Sequence, residues 1–147
     1  MRGMFTTVPL NAAAGLDAPV IAVMHADPVR IAGSLPLGAA ALTMVARRIH
    51  AILVCDDHNA PLGWMTARGM LHNAPRDWNG ATARDAISEP LASVPPEATV
   101  HAALEALLAA GASHVLVRAE ERGTVLGVVS DFDLLALLTA SESGEPG

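Results

Sequence analysis

A chain of 147 residues accommodates one domain, or two small repeats sharing a core. Hydrophobic residues make up 52% of it and charged residues 16%, which excludes a disordered chain and removes any need for disulfide or metal staples. The net charge is −6, all nine basic residues are arginine and scattered, and there is no tyrosine, so no footprint or stacking surface for nucleic acid is present.

Residues 1–19 carry no apolar core long enough for a signal peptide and read as a peripheral N-terminal extension. No run of about 18 apolar residues follows anywhere, so no membrane span is expected and the chain reads as cytoplasmic. An extended segment, VMHADPVRI at 23–31, ends near Pro28. An Ala/Leu helix is predicted over 37–48, a strand over 51–55, a polar turn (DDHNAP), a second strand over 62–66, and a helix from Ala67. HNAPRDWNGA is rich in Asn, Pro and Gly and marks a linker at 73–81.

The same order then recurs. AISEPLASV at 86–94 contains Pro90, a helix is predicted over 100–110 with Gly111 as its C-terminal stop, and strands are predicted over 115–118 and 125–130 around the turn AEERGT. A last helix begins at Asp131, and 141–147 reads as a disordered tail. Residues 49–71 align without a gap on 113–135, placing His50 on His114, Gly63 on Gly127, and Thr66 on Ser130. The expected fold is therefore α+β: two β-α-β-β-α repeats, 20–72 and 82–140, packed as an intramolecular pseudo-dimer.

The stretch GVVSDFDLL at 127–135 is the chemical signal. Ser130 followed three residues later by Asp133 matches a capping box, in which each side chain satisfies a backbone N–H at the helix start. The same two groups suit a ligand: an ionised Asp only accepts, so it can take two ribose hydroxyls, beside free N–H groups that favour an anion. Spacing does not separate the two readings. In the first repeat, GWMTARG keeps the hydroxyl as Thr66 but has Gly69 in place of the aspartate and Trp64 in place of Val128.

With the openings VMHADPV and AISEP, the Ala/Leu helices and the G-h-h-[ST]-x-x-D run formed by Gly127, Val128, Val129, Ser130 and Asp133, the chain resembles a tandem pair of CBS domains, a Bateman module, over 20–139. The resemblance implies clefts between the repeats that take an adenosine-containing ligand (AMP, ADP, ATP or S-adenosylmethionine), a homodimer, and regulation of a partner protein rather than chemistry. It places Asp133 and Ser130 on the ribose of one good site, His114, His50 and Arg118 near the phosphates, and Ile87, Pro90 and Val94 against the adenine. The alternative is a ligand-free scaffold of the same fold, serving dimerisation or partner docking.

The bland readings stand beside these. A histidine entering a strand often just bonds backbone, and Arg47 or Arg48 could take the phosphate role instead. Cys55 reads as a buried strand thiol in a reducing compartment. No H-x-x-x-H, P-loop or G-x-S-x-G occurs, so no metal, no required cofactor and no enzyme activity is expected. LLALLTA at 134–140 is apolar on more than one face, which suggests self-association.

Overall fold

The computed structural model describes residues 15–26, 28–72, 77–120 and 123–143. It is mixed α+β, with two three-stranded sheets and four helices, in two compact units: residues 28–91, and the described residues before Pro28 together with those from Ala92 onward.

In the 28–91 unit, β1 (Arg30–Ala32) runs parallel to β2 (Ala51–Cys55), and β2 is antiparallel to β3 (Pro61–Thr66). The parallel step is the one bridged by a helix, α1 (Leu37–Arg47), as a crossover requires. Leu37, Ala40 and Met44 recur at helical spacing and pack on Ile52, Val54 and Met65 of the sheet. The helix ends where Arg48 turns left-handed (φ 55°). A short α2 (Ala67–His72) follows β3 directly. Trp78 and Ala81, from the expected linker, pack against this core, whereas 73–76 lie outside the described residues.

The other unit repeats the plan. β4 (Ser93–Val94) is parallel to β5 (His114–Arg118), which is antiparallel to β6 (Val125–Ser130). Between β4 and β5 lies α3 (Val100–Ala110), capped by the Thr99 hydroxyl on the Ala102 N–H at 3.1 Å and stopped at Gly111 (φ 65°) as expected. After β6 comes α4 (Asp131–Ser143), so part of the expected tail is helix and 144–147 lie outside the described residues. Leu16 and Ala18, from the expected peripheral extension, pack on the Val115–Val117–Val129 core; 1–14 lie outside the described residues.

Three expectations change. Both strands begin after the prolines, at Arg30 and Ser93. The units are also cut differently from the sequence repeats: the 3₁₀ turn Val20–Ala22 and His25 join the unit containing repeat 2, and the 3₁₀ turn Ala83–Ala86 with Ser88 and Glu89 joins the unit containing repeat 1. Each lead-in hydrogen-bonds the third strand of its unit. His25 and Val128 exchange both N–H···O bonds at 2.9 Å, and the Trp64 N–H donates to the Glu89 carbonyl at 3.0 Å.

The third concerns register. Ala51 lies opposite Thr66, whereas His114 lies opposite Ser130. The turn 119–124 is one residue longer than 56–60, so the ungapped alignment is correct for the third strands and slips by one on the second. The structural counterpart of His114 is Ala51, and that of His50 is Ser113; a one-residue slip also exchanges the two faces of a strand. His50 and His114 are not equivalent.

Candidate functional site

The second repeat builds a polar corner where β6 passes into α4. The Asp133 N–H donates to the Ser130 hydroxyl at 3.1 Å, and the Ser130 N–H donates to Asp133 Oδ2 at 2.9 Å. The capping box is thus made in both directions, satisfying two backbone donors that a helix start leaves open.

A third residue completes the corner, and the sequence reading missed it. His25 Nε2 lies 2.9 Å from Asp133 Oδ1. An ionised carboxylate only accepts, so Nε2 is the protonated ring nitrogen. The sequence offers only the match of 23–31 to 86–94, which sets His25 over Ser88; that both lead-ins return to the G-h-h-[ST] strand of a repeat is visible only in the fold. Burial works against the charge on Asp133, but the Ser130 N–H, the His25 ring and the Ser130 hydroxyl outweigh it and hold the carboxyl below the ordinary aspartate range. The side chain keeps 23% of its surface exposed, so a ligand can reach it.

Gly127 belongs to this corner for a steric reason. A Cβ there would lie 2.5 Å from the His25 carbonyl oxygen and 2.7 Å from Met24 Sδ. Glycine is what allows the lead-in backbone to approach β6 and deliver His25 to Asp133.

The matching corner of the 28–91 unit is built differently. The Gly69 N–H donates to Thr66 Oγ1 at 3.0 Å, so the hydroxyl cap survives. The Ser88 hydroxyl lies 2.9 Å from Thr66 Oγ1, and a Cβ on Gly69 would meet Ser88 Oγ at 2.5 Å. Ser88 fills the space in which an aspartate would begin.

The remaining candidates are spread out. His114 pairs with Ser130 across the ladder, at the same end of the sheet as Asp133. Arg118 is four residues further along β5, about 13 Å at strand rise. It is buried, its Nε donates to the Gly123 carbonyl at 3.2 Å, and it lines a 280 Å³ cavity with Ser93, Val94 and Glu120. Val94 is therefore brought together with Arg118. Ile87, which packs towards Gly63, and the exposed Pro90 belong to the 28–91 unit, as does the exposed His50. Cys55 is buried, as expected, and burial raises its thiol pKa while Arg30 draws it down. Among the described residues no three His, Cys, Asp or Glu side chains group as metal ligands, and no helix is long and apolar enough to cross a membrane.

Two α+β units, each a parallel β-α-β step with an antiparallel third strand and a hydroxyl-capped helix, define a tandem-repeat module. The CBS domain family model matches residues 20–75 and 83–140, and the chain belongs to that family. Solved structures share the fold. The CBS domain of a bacterial CNNM/CorC family Mg2+ transporter in complex with ATP superposes with a TM-score of 0.76 at 19% identity, covering 90% of this chain and 94% of that one. A hemolysin-like CBS protein from Oenococcus oeni gives 0.76 at 18%, covering 89% and 97%. Hypoxic Response Protein I with two coordinated zinc ions gives 0.68 at 24%, covering 81% and 98%. No curated protein matches the sequence.

Proposed function

We propose that this CBS pair is a regulatory, non-catalytic module that takes an adenosine-containing ligand, with Asp133 and Ser130 holding the ribose and an unidentified partner chain receiving the signal. The observation that carries the reading is the Asp133 carboxylate: partly exposed, held charged, and fixed in place by Ser130 and His25. Such a group accepts vicinal hydroxyls without reorganising, which is the value of preorganisation. The ATP-bound transporter domain of the same fold supports the ligand class. His114, at the Ser130 end of the sheet, is the better placed phosphate contact; Arg118 serves a longer polyphosphate or the separate cavity with Val94. The missing carboxylate at Gly69 limits the chain to one such site. A ligand that prefers one arrangement of the module shifts its population, and a partner reads that shift. The buried lone thiol of Cys55 fits a cytoplasmic setting.

A second reading has its own observation. Both Asp133 oxygens already hold intramolecular donors, so the corner is complete as a helix cap and an anchor for His25. In that case the module is a scaffold without ligand. Thermal shift with AMP, ADP, ATP and S-adenosylmethionine, on the wild type and on Asp133→Asn, separates the two: stabilisation confined to the wild type supports the ribose role, and no stabilisation by any of them leaves the scaffold.

A further inference from the structure

Arg118, the last residue of β5, carries a permanent charge into the interior, with only 9% of the residue exposed. The ladder shifts register between Val117 and Arg118, and a bulge of this kind re-aims a side chain. Among the described residues the guanidinium gives one hydrogen bond, from Nε to the Gly123 carbonyl at 3.2 Å, and joins no ion pair. Every guanidinium nitrogen carries N–H donors, so the terminal ones stay available to a ligand. A buried cation is costly unless an anion faces it. Arg118 lines the 280 Å³ cavity together with Ser93, Val94, Pro95 and Glu120, all within the unit that contains repeat 2. Pockets for drug-sized ligands hold roughly 300–1,000 Å³, so this one suits a smaller molecule than a nucleotide.

The lining narrows the ligand further. Arg118 supplies a buried cation, the exposed Glu120 an anion, and Val94 and Pro95 an apolar wall. Arg118 and Glu120 share the cavity without pairing to each other, so a ligand bearing both charges satisfies both. Inorganic phosphate would gain Arg118 but be repelled by Glu120. We infer that the cavity binds a small aliphatic α-amino acid. Its carboxylate takes the Arg118 guanidinium, whose fork matches a carboxylate in shape. Its ammonium faces Glu120, and its side chain lies against Val94 and Pro95. The Ser93 hydroxyl adds a donor or acceptor at the same wall. Asp133 takes no part. His114 pairs with Ser130 at one end of β5 and Arg118 pairs with Val125 at the other, about 13 Å away at strand rise.

Isothermal titration calorimetry of the full chain with L-valine and L-leucine tests the site, with isocaproate, isoamylamine and inorganic phosphate as comparisons. Isocaproate is leucine without its ammonium, and isoamylamine is leucine without its carboxylate. At least one amino acid should bind, and each analogue of leucine should bind about tenfold or more weakly, the size expected for a lost charged hydrogen bond. Glu120→Gln alters an exposed position and should erase the preference for leucine over isocaproate. Arg118→Lys keeps the charge but loses the fork, and should weaken both ligands, with circular dichroism confirming that it is folded. Asp133→Asn should bind the amino acid as the wild type does, which separates this site from the nucleoside reading. Three outcomes overturn the inference: neither amino acid binds at millimolar concentration, phosphate binds more tightly than both, or Glu120→Gln leaves the preference intact.

Discussion

The His25 ring reaches the Asp133 carboxylate at 2.9 Å across 108 positions of sequence. The contact ties the lead-in of the first repeat to the last helix of the second, and the backbone bonds between His25 and Val128 hold it there. Three groups therefore favour the charged carboxylate: the Ser130 N–H, the Ser130 hydroxyl and the imidazole.

An acid-stability prediction follows from the sign of that effect. The Asp133 carboxyl titrates below the ordinary aspartate value in the folded chain, near which it titrates when unfolded. A depressed folded value means that the unfolded chain binds the proton more readily. The stabilisation is fully present above about pH 4 and is lost as pH falls through the folded value. Urea midpoints for wild type and Asp133→Asn should therefore differ most near neutrality and converge in acid. A gap that stays constant with pH removes the carboxylate's charge from the account.

Ligand binding makes a separate demand on the same residue. Asn can still accept the Ser130 N–H through its carbonyl oxygen, so Asp133→Asn keeps most of the cap and loses the charge. At a hundred times its Kd, a ligand adds about 2.7 kcal/mol, a rise of several degrees for a chain of this size. That rise is expected in the wild type with at least one adenosine compound and is expected to be absent in Asp133→Asn. His25→Ala frees Oδ1 and should bind no more weakly than wild type. Weaker binding would mean that the imidazole itself touches the ligand.

Much of this architecture was legible because the repeat is local. Strand-turn-strand-helix order, the stop at Gly111 and the Ser130–Asp133 box each depend on neighbours a few residues apart. His25 was not legible as a site residue, because nothing near it in sequence predicts a partner 108 positions away. The exchange of lead-ins was hidden for the same reason: Ser88 and Glu89 follow the linker yet bond Trp64 of the first repeat. The pairing of His50 with His114 failed on one extra turn residue, since a strand reverses faces with a single slip.

Close approach at Gly127 gives a prediction about stability. A methyl group there overlaps the His25 carbonyl oxygen and the Met24 thioether. The backbone oxygen is fixed by the Val128 N–H, so the lead-in must move and the two bonds to Val128 must stretch. Gly127→Ala should cost about 1–3 kcal/mol, the range for overpacking. Chemical denaturation measures it directly. Gly38 is the control, with nothing within 4 Å of an added Cβ in the helix α1, and Gly38→Ala should be neutral or stabilising.

The two corners differ by an aspartate, and their difference can be reversed on paper by two substitutions. Gly69→Asp alone should destabilise the chain, because its Cβ meets Ser88 Oγ at 2.5 Å and Ser88 Cβ at 2.7 Å. Removing that side chain with Ser88→Gly opens the space, although it also removes the hydroxyl beside Thr66. The double variant Gly69→Asp with Ser88→Gly then recreates the Thr66–Asp box that Ser130 and Asp133 form in the other unit. Its urea midpoint should lie above that of Gly69→Asp, and the two changes should be non-additive, as neighbours in direct contact are. Additive losses would show that Ser88 is not what keeps an aspartate out of the first repeat.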